Sequence, residues 1–100
     1  MGLIRVVLEN EAGQRDNEGV MVPTSAFPNP DDTRFICLRF VDPYGDAVFN
    51  RLQMPSVLAD LRLLRELRPD PSVKKGLDIV ERMAKECEHG PGLYIRFVGD

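Results

Sequence analysis

One histidine, two cysteines, no long apolar run and no surplus of basic charge set the first limits on this 100-residue chain. A membrane span needs about 18 consecutive apolar residues, and nothing in the sequence approaches that length. A soluble protein is the expectation. Residues 1–8 carry no basic stretch before their apolar residues and no small-residue cleavage site after them, so they read as a strand and not as a leader. The cytoplasm follows as the default location. Cys37 and Cys87 are too few to staple a secreted scaffold, and each lies among apolar neighbours, where a free thiol behaves as a small hydrophobe. Two reduced, buried thiols are expected. The net charge of −3 weighs against a general nucleic-acid or anionic-membrane binder, since both functions draw on excess Lys and Arg.

The chemical inventory is equally thin. Ser25, Ser56 and Ser72 lack the flanking glycines of a nucleophile elbow, and no second histidine is present to orient a triad. Gly13, Gly19, Gly45, Gly76, Gly90, Gly92 and Gly99 are scattered, with no phosphate-binding loop among them. Hydrolase, kinase and dinucleotide-binding readings therefore have no support, and no cofactor is implied. Cys87 and His89 form a Cys-x-His pair, but a zinc site needs three or four such ligands; a histidine at a helix C-terminus serves the last carbonyls and the dipole. No metal site is expected. Asp42 and Asp46 flank Pro43-Tyr44-Gly45, where aspartates act mainly as turn formers.

What is present is a pattern of short elements. Residues 3–9 are apolar and β-branched and run into a polar stretch, which suits a first strand and a loop. Val20-Met21-Val22 reads as at most a short edge strand, because Pro23 cannot donate to a ladder. Residues 23–33 hold three prolines and no periodicity, so they form a loop. Residues 34–42 and 46–53 flank Pro43-Tyr44-Gly45 and predict a hairpin, with Pro43 at the first corner and Gly45 in the left-handed position of a bulge. Counting back from Asp42 opposite Asp46 puts Ile36, Leu38, Phe40, Val48, Asn50 and Leu52 on one face. Phe35, Cys37, Arg39, Val41, Ala47, Phe49, Arg51 and Gln53 fall on the other.

Val57, Leu61 and Leu64, widened by Leu58, Leu63 and Leu67, mark a helix opened by Pro55. Asp70-Pro71 caps a second one, whose stripe Val73, Leu77, Val80, Ala84, Cys87 ends at Gly90-Pro91. Only residues 68–70 separate the helices, so they fold back on each other as an antiparallel pair. Leu93, Ile95 and Phe97 alternate with Tyr94, Arg96 and Val98 in a last strand. The expectation is one α+β domain over residues 1–100 in the order β(β)ββααβ: an antiparallel-rich sheet of four to five strands with the helix pair on one face. Ile4, Val6, Leu8, Ile36, Leu38, Phe40, Val48, Leu52, Leu93, Ile95 and Phe97 would lie beneath the helices.

One constellation rises above background. On that register the face away from the helices carries Arg5, Arg39, Arg51 and Arg96, with Phe35, Phe49 and Tyr94 among them. Arginine and aromatic residues are what interfaces are enriched in. Three readings compete: a solvated sheet face, a face covered by the acidic 9–33 segment, and a recognition surface. The leading functional expectation is a small non-enzymatic protein-binding module, such as a regulator, inhibitor or immunity-type partner, that binds another protein or itself. The alternatives are a single-stranded nucleic-acid binder, with Phe35, Phe49 and Tyr94 stacking bases, or a carboxylate-dependent enzyme with a cleft at Asp42, Asp46 or Asn50.

Overall fold

The alternation of Ile4, Val6 and Leu8 with Arg5, Val7 and Glu9 builds the first strand, β1 (Leu3–Asn10), in a computed structural model that describes residues 2–15, 19–68 and 70–99. The chain continues through β2 (Val20–Pro23), β3 (Asp46–Asn50), α1 (Met54–Leu67), α2 (Pro71–His89) and β4 (Leu93–Val98). The strands form one antiparallel sheet in the order β2-β1-β4-β3. The two helices pack together, and α2 lies against β1, β2 and β4. This is the expected α+β architecture. None of the helices is long and apolar enough among the described residues to cross a membrane.

The helix boundaries follow from their caps. Asp70 accepts a hydrogen bond from the Ser72 N–H at 3.0 Å, and Pro71 opens α2 where its missing N–H costs nothing. Val57, Leu61 and Leu64 of α1 and Leu77, Val80, Ala84 and Cys87 of α2 are all buried, as their spacing required. Arg65 ties the pair together, donating to Asp78 at 2.7 Å and also to Glu81. In the sheet, Ile4, Val6, Leu8, Ile95 and Phe97 reach the core. The Phe97 ring meets Phe27 at 5.8 Å and Phe49 at 5.7 Å, both edge to face.

The hairpin is the main departure from expectation. Residues 34–42 are not a strand, and β3 pairs with β4 instead, Phe49 opposite Ile95 and Asp46 opposite Val98. Residues 34–41 form a loop that closes into a 3₁₀ turn at Leu38–Phe40. The cause lies in α1. Asp60 is 3% exposed, and its carboxylate accepts from three consecutive amides: Ile36 at 3.1 Å, Cys37 at 2.7 Å and Leu38 at 2.9 Å. Successive N–H groups of a strand point in opposite directions, so three converging on one carboxylate are incompatible with extended pairing. A tertiary contact thus overrides the local β propensity.

Without the hairpin its register fails as well. Ile36, Phe40, Val48 and Leu52, expected in the core, are exposed, while Phe35, Cys37 and Phe49, expected on the outer face, are buried. Leu93 is only partly buried, and Leu38 alone of the hairpin positions lies in the core as expected. The turn at Pro43-Tyr44 does form: the Gly45 N–H donates to the Asp42 carbonyl, and the Asp42 carboxylate accepts from the Tyr44 N–H at 2.9 Å. Gly45 is not in the left-handed region, contrary to the bulge assignment. The glycine that the turn requires is Gly99. A Cβ there would collide with the Asp42 and Gly45 carbonyl oxygens and lie 2.6 Å from the Gly45 nitrogen. Gly19 is a second constrained position, with φ +84° and a would-be Cβ 2.7 Å from Val7 Cγ1.

Candidate interaction surface

Strand register assigns the outer face unambiguously. It carries Arg5, Val7 and Glu9 of β1, Met21 of β2, Tyr94, Arg96 and Val98 of β4, and Asp46, Val48 and Asn50 of β3. Of the expected Arg and aromatic cluster, Arg5, Tyr94 and Arg96 converge here. Arg39 and Arg51 do not, because each lies in a 3₁₀ turn outside the sheet, and Phe35 and Phe49 are core residues. The seven residues therefore do not form one surface.

Much of the outer face is occupied by a charge network. Glu9 is 5% exposed although it points away from the helices. Its carboxylate accepts from Arg96 Nε at 2.9 Å and from Arg15 Nε at 3.1 Å, and Arg96 Nη1 reaches Asp46 at 3.0 Å. The chain Arg15–Glu9–Arg96–Asp46 links the loop after β1 to β1, β4 and β3. Burial raises the Glu9 pKa, but the hydrogen bonds from Arg96 and Arg15 outweigh it and hold the carboxyl below its ordinary range. Val7 and Glu9 are buried at the centre of this face, while Arg5, Met21, Asp46, Val48 and Asn50 around them are exposed.

Residues 36–52 carry most of the exposed apolar side chains. Ile36, Phe40, Tyr44, Val48 and Leu52 are five of the eight large apolar side chains exposed among the described residues. Ile36 and Phe40 are held outward by ordered backbone, since Asp60 fixes the Ile36, Cys37 and Leu38 amides while Phe35, Cys37 and Leu38 turn into the core. Arg39 adds to this rigidity: its Nε donates to the Pro30 carbonyl at 2.8 Å, and its guanidinium lies 4.9 Å from the Phe40 ring centroid. Leu52 sits in a 3₁₀ turn fixed by a reciprocal cap. Asn50 accepts from the Leu52 N–H, and Gln53 accepts from the Asn50 N–H, both at 2.9 Å. Beside it Asn50, Arg51, Leu52, Tyr94 and Glu11 line a shallow groove of about 210 Å³.

Asp60 is the residue that sequence reasoning passed over. Its signal was legible: it stands three residues after Val57 and four before Leu64, on the apolar stripe of α1, where a carboxylate demands a partner. Elsewhere the inventory stays sparse. His89 is exposed at the end of α2 beside Glu88, and no cluster of three or more metal-ligating side chains occurs among the described residues. Asp42 serves the turn and Asp46 pairs with Arg96. Cys37 and Cys87 are free and buried, and burial pushes both thiols up, Asp60 adding to the effect at Cys37. Compared with protein-family models, curated proteins and solved structures, the chain matches none.

Proposed function

We propose that this chain is a small non-enzymatic protein-binding module that docks through the apolar side chains of residues 36–52, flanked by Arg39 and Arg51. The observation that carries the reading is the rigid outward presentation of Ile36, Phe40 and Leu52, which are 62%, 60% and 77% exposed on backbone anchored by Asp60 and by the Asn50–Gln53 cap. Large apolar groups held in water by structure weaken the isolated fold and strengthen an interface, where they add buried area without an ordering cost. Arg39 stacked on Phe40 and Arg51 beside Leu52 supply the charged flank that interface anchors commonly have. Two buried free thiols suit a reducing compartment, and we place the protein in the cytoplasm.

The test is affinity capture by tagged wild type beside Phe40→Ser, Leu52→Ser and an Arg62→Ala control on α1. A protein retained by wild type and the control, and lost from both Ser variants while their melts stay intact, supports the reading. Capture indifferent to Phe40 and Leu52 refutes it. Binding of single-stranded oligonucleotide that weakens steeply with salt refutes it in favour of a nucleic-acid partner.

A further inference from the structure

The sheet has two edges, and they are built differently. β2 runs into Pro23, which has no N–H to offer, and α2 packs against it. β3 has neither proline nor lysine, and its one charge, Asp46, is already paired with Arg96. These are the devices by which sheets blunt an edge, and β3 lacks them.

Hydrogen-bond parity shows which groups β3 leaves open. Gly99 N–H donates to the Gly45 carbonyl at 2.7 Å, so position 45 bonds toward β4, and positions 47 and 49 follow by alternation. Positions 46, 48 and 50 therefore aim their backbone groups away from the sheet. Asn50 agrees with this, because its N–H is taken by Gln53 Oε1. The N–H and C=O of Asp46 and Val48 make up the open edge, since the Asn50 carbonyl accepts the first bond of the 3₁₀ turn at Arg51–Gln53, and the Val48 side chain beside them is 42% exposed.

We propose that this edge pairs with the same edge of a second copy of the chain, antiparallel, about a twofold axis through Val48. The pattern is self-complementary. Val48 exchanges two hydrogen bonds with its own counterpart, and the ladder stops there because the Asn50 N–H and carbonyl both serve the cap of the 3₁₀ turn at Arg51–Gln53. On the outer face Asp46 stands opposite Asn50, whose Oδ1 is engaged by Leu52, leaving its amide NH₂ to donate to the carboxylate. Like charges are nowhere opposed, and Arg51 comes level with the acidic Asp42–Asp46 turn of the other copy. The two sheets join into one of eight strands. A contact this short buries less than a standard interface, so association is weak and concentration-dependent. It shares Val48 and Arg51 with the proposed docking surface but does not depend on Phe40 or Leu52.

Sedimentation velocity on the full chain, from micromolar to hundreds of micromolar, tests the proposal. A monomer–dimer equilibrium is expected, weakened more than about tenfold by Val48→Lys, which sets two ammonium groups against each other across the axis. Phe40→Ser should leave it unchanged. Because Cys37 and Cys87 are buried, Val48→Cys can be cross-linked with a short bis-maleimide under native conditions. A covalent dimer is expected there and not from Met21→Cys at the opposite edge. A monomer throughout the range overturns the proposal, as does a dimer that survives Val48→Lys or cross-links only through position 21.

Discussion

Replacing Asp60 is the sharpest perturbation the structure offers, because one side chain holds three backbone donors that have no other partner among the described residues. Cys37 and Leu38 donate to Oδ2 in the buried interior, and Ile36 donates to Oδ1 in a partly buried position. Orphaning a buried N–H costs about 1–3 kcal/mol, so Asp60→Ala carries about 2–6 kcal/mol from the two interior donors alone. Partial opening of residues 35–41 to water limits the loss, and about 3–5 kcal/mol is expected. Against a total stability of about 5–15 kcal/mol for a domain of this size, that is a large share. Asp60→Asn keeps one acceptor oxygen, which can serve Cys37 and Leu38 while its NH₂ meets the Ile36 N–H, so about 1–3 kcal/mol is expected. Urea melts measure both, and hydrogen exchange should show the 36–38 amides losing protection in the Ala variant. A loss below about 1 kcal/mol for Asp60→Ala, or an Asn variant as damaging as Ala, would refute the anchoring role.

Acid should act through Glu9: its folded pKa lies below the unfolded value, so its stabilisation is full above the ordinary carboxylate range and lost as pH falls through the folded pKa. Thermal melts should hold steady from neutral pH to about 5 and fall below about 4.5, with a shallower fall in Glu9→Gln. Arg96→Ala should cost about 1–3 kcal/mol, and less in a Glu9→Gln background, in a double-mutant cycle read by urea melts. Gly99→Ala should lower stability by at least about 1–3 kcal/mol, since its Cβ has no room against the Asp42 and Gly45 backbone, whereas Gly45→Ala should be milder. Cys37 and Cys87 should label slowly with a thiol reagent in native buffer and rapidly in denaturant; fast native labelling of both would contradict their burial.

Local pattern alone was enough for β1, the two helices and β4, because each carries its own periodicity and stop signals: Ile4, Val6 and Leu8 at period two, Leu77, Val80, Ala84 and Cys87 at helical spacing, Asp70-Pro71 as a cap. The buried free thiols were legible from their apolar surroundings in the same way. Residues 34–53 were not, because their partners lie far along the chain. The amides of 36–38 are claimed by Asp60, more than twenty residues on, and β3 finds β4 across both helices. A strand's register inverts its faces when it slips by one, so losing the hairpin exchanged Phe49 for Val48 in the core and dispersed the Arg and aromatic cluster. The pairing of Glu9 with Arg15 and Arg96 belongs to the same class. Its residue types are plain in the sequence, but only the β1–β4 register brings position 9 within reach of position 96. Side-chain character and local spacing determined which residues want burial or a charged partner; the tertiary structure decided which of them met, because contacts between distant residues depend on packing that no local pattern encodes.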